Sequence, residues 1–138
     1  LYCGVGIMSI LIAEYYKLCI GIEINQNAID VAIYNCNNNN CNNCIFICNP
    51  VEDIINTINY KNLIIFINPP RRGLYNNVIE KINSLKNIKQ IIYLSCCKET
   101  LDRDLLLFKF KNEIIKEYDM FPGTNHKEYL VEISNYTN

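Results

Sequence analysis

No stretch of this chain stays apolar for the about 20 residues that cross a bilayer, which excludes a membrane-spanning role. Charge of neither sign dominates, since 13 Lys and Arg against 14 Asp and Glu leave a formal charge of -1. That balance neither calls for nor excludes a nucleic-acid partner, because a basic face can coexist with an acidic remainder. Histidine is nearly absent, His126 standing alone. No signal-peptide pattern opens the chain, and its first residues read as the end of a core strand. The eight cysteines are therefore read as thiols of a reducing intracellular compartment, cytoplasm or organelle, and not as a disulfide framework. Cys36, Cys41, Cys44 and Cys48 loosely resemble a metal-ligand spacing. Yet His126 lies far along the chain and Cys48 falls in an apolar, strand-like run, so no metal is expected.

What is present points to a single domain. Half of the 138 residues are hydrophobic, enough for one core but not for two. Apolar β-rich runs alternate with helical patterns, the signature of βαβ units and an α/β fold with a mostly parallel sheet. Strands are predicted near Cys19 to Glu23, Ile45 to Cys48, Leu63 to Ile67 and Ile91 to Leu94, all buried. Helices are predicted at Met8 to Tyr16, Asn27 to Asn35, Val51 to Thr57, Asn76 to Leu85 and Lys98 to Phe108. The Asn tract from Asn37 to Asn40, with Asn42 and Asn43, is placed in a loop. Glu113 to Tyr118 and Tyr129 to Ile133 read as two strands whose connection is too short for a parallel crossover, so the final strand is expected to run antiparallel. Such a sheet suits a nucleotide-cofactor methyltransferase better than a dinucleotide dehydrogenase.

Four segments carry the chemistry. Tyr2-Cys3-Gly4-Val5-Gly6 follows a strand stub and opens a helix, so Gly4 and Gly6 let backbone approach a ligand. Glu23 ends the next apolar strand, where a carboxylate accepts hydrogen bonds from the ribose hydroxyls of an adenosine cofactor. Asn68-Pro69-Pro70-Arg71-Arg72-Gly73 cannot continue the strand before it and forms a rigid ledge, with Asn68 toward substrate or cofactor and the two arginines facing phosphate or a carboxylate. Cys96 leaves the apolar run Ile91 to Leu94 at the sheet edge where open α/β folds bind ligands, and is the candidate nucleophile. His126-Lys127-Glu128 precedes the last strand and supplies a candidate base on a neighbouring loop.

Taken in order, these residues resemble the RNA uracil-5-methyltransferase family. Leu1 to Gly6 is similar to its Leu-Tyr/Phe-Cys-Gly-x-Gly, and Gly21-Ile22-Glu23 to its Gly-Val/Ile-Glu. Asn68 to Gly73 resembles Asp-Pro-Pro-Arg-x-Gly, and Ser95 to Asp104 resembles Ser-Cys-Asn-Pro-x-Thr-Leu-x-Arg-Asp. Phe121 to Glu128 matches Phe-Pro-x-Thr-x-His-x-Glu. The resemblance implies a Rossmann-like class I methyltransferase fold and transfer of a methyl group from S-adenosylmethionine to carbon-5 of a uridine in RNA, transfer RNA favoured over ribosomal RNA. It places Tyr2, Ile7 and Glu23 at cofactor contacts, Asn68 at a cofactor or substrate contact, Cys96 as nucleophile and Glu128 as base. It further implies that residues 1–138 are the catalytic domain without its first strand and any RNA-binding domain.

Four positions depart from the family pattern, Ile7 standing at a cofactor contact whose usual side chain is polar. Asn68 stands for an Asp, and Cys97 and Lys98 stand for Asn and Pro beside the nucleophile. A lysine there is a candidate for lowering the Cys96 thiol pKa. Two other readings stay open. One is a cofactor- or RNA-binding module without catalysis. The other is an amino-group methyltransferase of the Asn-Pro-Pro type, although Arg71 occupies the place of that type's aromatic residue.

Overall fold

Short apolar runs bounded by turns and joined by helices cannot pair as hairpins, and in the computed structural model they pair as parallel ladders. Residues 1–110 and 112–134 are described. The chain divides into two units, Leu1–Ile54 and a second beginning at Ile55.

In the first unit the strand stub is tied to its neighbour, the Cys3 N–H donating to the Ile22 carbonyl at 3.0 Å. Helix α1 spans Ile7–Ile12 and ends in a 3-10 turn, Ala13–Tyr15. Strand β1 (Cys19–Glu23) runs parallel to β2 (Cys44–Cys48), pairing Cys19 with Cys44 and Glu23 with Cys48. Between them α2 covers Gln26–Asn38. Its N-cap is Asn25, whose side-chain oxygen accepts from the Asn27 and Ala28 N–H groups and so satisfies donors that a helix start leaves open. Ile29, Ala32 and Cys36, spaced for one helical face, are its buried residues. Helix α3 (Val51–Ile54) closes the unit.

Two expectations fail here. β2 is not buried, its Ile45 being 50% exposed, because within its sheet it pairs with β1 alone and keeps an open edge. The Asn tract is not all loop. Asn37 and Asn38 extend α2, and the chain turns only at Asn39 and Asn40, where Asn40 takes a left-handed φ of 52°, a conformation Asn tolerates.

The second unit opens on a 3-10 turn, Ile55–Thr57, so the helix predicted to Thr57 is α-helical only to Ile54. There follow β3 (Leu63–Ile67), α4 (Asn76–Ser84), β4 (Ile88–Ser95), α5 (Lys98–Leu107), β5 (Asn112–Tyr118) and β6 (Glu128–Ser134). The strand order is β3-β4-β6-β5. β3 and β4 are parallel, while β6 is antiparallel to both β4 and β5, as the short tail connection requires. Alternate residues of three strands form one buried row. Ile65 pairs with Ile91 and Ile91 with Ile133, then Ile67 with Tyr93 and Tyr93 with Val131, all six buried. Val78, Ile79 and Ile82 of α4 and Leu101 and Leu105 of α5 are buried too, each worth about 1.5–3 kcal/mol of apolar transfer. Among the described residues no helix is long and apolar enough to cross a membrane.

Candidate functional site

Five of the predicted site residues lie in the first unit and meet around one turn. The chain reverses at Tyr2-Cys3-Gly4-Val5-Gly6 through three left-handed residues, Tyr2 (φ 59°), Gly4 (φ 52°) and Gly6 (φ 80°), with the Gly6 N–H donating to the Cys3 carbonyl. Gly6 has no alternative. A β-carbon there would sit 2.9 Å from both Ala32 Cβ and Phe46 Cζ. Above Gly4 the space is open, with nothing within 4 Å of its would-be β-carbon, which leaves room for a ligand to approach the backbone.

Glu23 is fixed beside this turn. Its Oε2 accepts the Gly4 N–H at 3.2 Å, and its Oε1 accepts the Ile24 and Asn25 N–H groups at 2.9 and 3.1 Å. Three backbone donors hold the carboxylate in one orientation, partly exposed and with lone pairs left to accept hydroxyl protons. Asn35 of α2 ties the turn from the other side, donating from Nδ2 to the Val5 carbonyl at 3.0 Å. Ile7, the first residue of α1, is 57% exposed. Burial pushes the Cys3 thiol up to about 11, which keeps it a protonated packing group.

Asn68, Cys96 and Glu128 lie in the second unit, at one edge of its sheet. Ile67 pairs with Tyr93, so the chain leaves β3 and β4 at the same end, into Asn68 and Cys96 respectively. β6 enters from that end because it runs the other way. The β4–β6 ladder pairs Leu94 with Leu130 and Ser95 with Tyr129. The ladder ends there, and Cys96 follows Ser95 as Glu128 precedes Tyr129. Cys96 is partly buried, and Ser95 braces its loop, its Oγ accepting the Cys97 N–H at 3.2 Å and donating to the Cys97 carbonyl at 3.0 Å. His126 is exposed on the approach to β6, edge-on to Phe121.

The neighbours of Cys96 have other engagements. The Lys98 ammonium pairs with Asp102 one turn along α5 and lies 6.0 Å from the Tyr129 ring centroid. Cys97 donates its thiol proton to Glu99 at 3.2 Å. Arg72 stacks 4.4 Å over Tyr75, and Arg71 is exposed while its carbonyl accepts the Thr100 hydroxyl at 3.0 Å.

Below this edge lies the last residue of the Ser95 to Asp104 motif, to which the sequence reading gave no role. Asp104 is fully buried. Its Oδ2 accepts the Leu74 N–H at 2.8 Å and the Tyr93 hydroxyl at 2.7 Å, and its Oδ1 accepts both Nε and Nη2 of Arg103. The same Arg103 Nη2 donates to the Arg72 and Leu74 carbonyls. Thus α5, which begins just after Cys96, holds the segment that begins at Asn68. Gly73 makes this possible, since its φ is 73° and a β-carbon would fall 2.6 Å from Asp104 Oδ2. A sequence signal existed: Asp104 lies on the stripe Leu101, Leu105, Phe108, where an unpaired charge would not be tolerated.

Known proteins match this arrangement. An RNA methyltransferase of Clostridium acetobutylicum, itself uncharacterised, is 37% identical over 134 residues, 95% of this chain and 29% of that protein. Another from Staphylococcus aureus MRSA252 is 35% identical over 132 residues, 92% of this chain and 29% of that protein. The crystal structure of a Pyrococcus abyssi tRNA (uracil-54, C5)-methyltransferase, in complex with S-adenosyl-L-homocysteine, superposes with a TM-score of 0.84 at 29% identity. That match covers 96% of this chain and 32% of the other. The chain thus spans less than a third of the length of these relatives, and its fold is that of the class I methyltransferases. Residues 1–135 match the family described as tRNA (Uracil-5-)-methyltransferase, and the chain belongs to that family.

Proposed function

We propose that this chain forms the catalytic part of an enzyme that methylates carbon-5 of a uridine in RNA, transfer RNA favoured over ribosomal RNA, through a covalent cysteine adduct. The reading is supported above all by the β4–β6 ladder, whose last pair, Ser95 with Tyr129, adjoins Cys96 on one strand and Glu128 on the other. S-adenosylmethionine, when bound, supplies an electrophilic methyl group. The first unit fits it. Glu23 offers a carboxylate oriented by three backbone donors, Gly4 leaves open space beside it, and Tyr2, Gly6 and Ile7 complete the turn.

Carbon-5 of uracil is too weak a nucleophile to take a methyl group unaided. Cys96, as thiolate, adds to carbon-6, and the electron pair of the carbon-5–carbon-6 bond passes into an enolate. Carbon-5 is then nucleophilic. After it has taken the methyl group, Glu128 accepts the carbon-5 proton, the double bond re-forms and the Cys96 sulfur leaves. Asn68, at the exit of β3, offers an amide where the family pattern has a carboxylate, so it orients by hydrogen bonding without charge. The uridine must leave its stack to reach the thiol.

The test incubates the full-length protein with labelled S-adenosylmethionine and uridine-containing transfer or ribosomal RNA. Label in RNA is expected, lost in Cys96→Ala, with 5-fluorouridine RNA trapped on Cys96 alone. Glu128→Gln is expected to stall after methylation and accumulate the adduct. Cofactor binding without any methyl transfer would instead establish the second reading, a binding module without catalysis, which Asn68 and the exposed Ile7 favour.

A further inference from the structure

At the far end of β1 and β2 from Glu23, three thiols gather beside a fourth. The Sγ atoms of Cys36, Cys41 and Cys44 all lie within 4.8 Å of one another, and those of Cys41 and Cys44 are 3.3 Å apart. Cys19 adjoins them: it is the first residue of β1 and pairs with Cys44 across the ladder. Cys48 points elsewhere, to the Ile24 carbonyl at 3.4 Å. The spacing Cys36, Cys41, Cys44 is therefore completed by Cys19 from an earlier strand, not by the Cys48 that follows in sequence.

The loop that carries these thiols is held independently of them. Asn40 turns the chain back with its left-handed φ, so that the Cys41 N–H donates to the Cys36 carbonyl at 3.0 Å. The Asn43 amide donates to the Ala13 and Tyr16 carbonyls at 2.8 and 2.7 Å and pins the Cys41 to Cys44 segment against the end of the first helical stretch. Tetrahedral zinc with Zn–S bonds of about 2.3 Å needs sulfurs about 3.7 Å apart, within the spread that Cys36, Cys41 and Cys44 already show. Their present partners are weak, a carbonyl for Cys36 and another for Cys44. Burial raises the Cys19 and Cys44 thiols, so a cation must displace their protons.

We infer that Cys19, Cys36, Cys41 and Cys44 form a closed tetrathiolate site for a thiophilic divalent cation, Zn2+ serving as the probe. Binding breaks four S–H bonds, forms four Zn–S bonds and releases four protons to solvent. The site is structural. It lies four strand residues from Glu23, about 13 Å along β1, and joins the end of α2 to the starts of both strands. Its failure would leave the proposed methyl transfer untouched, because no residue is shared.

The full chain, purified under reducing conditions with zinc and then dialysed, should retain about one zinc per chain by elemental analysis. Cys41→Ser and Cys44→Ser should lose it, and Cys48→Ser should not. Should those variants fail to fold, the wild-type protein still decides. Zinc should shield Cys19, Cys36, Cys41 and Cys44 from alkylation while Cys48 and Cys97 label at unchanged rates. Equal labelling with and without zinc, or no zinc retained by the folded, reduced chain, would overturn the assignment.

Discussion

Asp104 receives four donors on two oxygens and is fully buried. Asp104→Leu leaves the Leu74 N–H and the Tyr93 hydroxyl without this acceptor. It should cost about 3 kcal/mol in urea unfolding. Tyr93→Phe removes one donor of the set and should cost about 1 kcal/mol. Both changes should also slow methyl transfer, because the segment from Asn68 to Leu74 is held through this carboxylate. Cys96 and Glu128 could be proposed from the sequence because both stand at fixed places in its motifs. Asp104 was part of the same motif, but its role depends on Leu74 and Tyr93, which only the folded chain brings to it. Lys98 shows the converse. Its position suggested a charge for the thiol, and the structure gives that charge to Asp102, four residues on along the same helix face.

At the scale of elements, the strands were legible where a run is apolar and bounded by turns. β1 and β3 have the predicted limits, while β4 begins three residues before Ile91 at Ile88, with a bulge beside Lys89. Lys89 and Gln90 hid that start, since polar residues at a sheet's end read as a turn. The first turn of α5 makes a pH-dependent contribution. The backbone N–H of Glu99 and then the Cys97 thiol hold the Glu99 carboxyl below its usual 4.5. A folded value below the unfolded one stabilises the fold above about pH 4.5, and this is lost as pH falls through the lower value. Glu99→Gln should therefore lower Tm slightly at pH 7, and the gap from wild type should close as the medium becomes acidic. The fully exposed setting keeps this effect small. Asn25→Ala should cost about 1 kcal/mol by uncapping α2, measurable by thermal unfolding.

At the scale of the whole molecule, the predicted roles sort by unit. Tyr2, Gly4, Gly6, Ile7 and Glu23 fall in the first, and Asn68, Cys96 and Glu128 in the second. Losses of function should sort the same way. Glu23→Ala should weaken cofactor binding in calorimetry by at least tenfold, about 1.4 kcal/mol. Cys96→Ala should leave that binding intact and remove the RNA adduct. Chain order does not follow sheet order, however. β6, the last strand, lies between β4 and β5, so the second unit's sheet gains an inner strand only after residue 134 has been made. A transcript stopped anywhere between Tyr118 and Glu128 would yield a polypeptide whose β4 presents an unpaired apolar edge to every other nascent chain. Such products should aggregate and be cleared rather than persist as half-enzymes. The residue proposed to take the final proton is thus supplied by the same strand that seals the sheet, and synthesis cannot deliver one without the other.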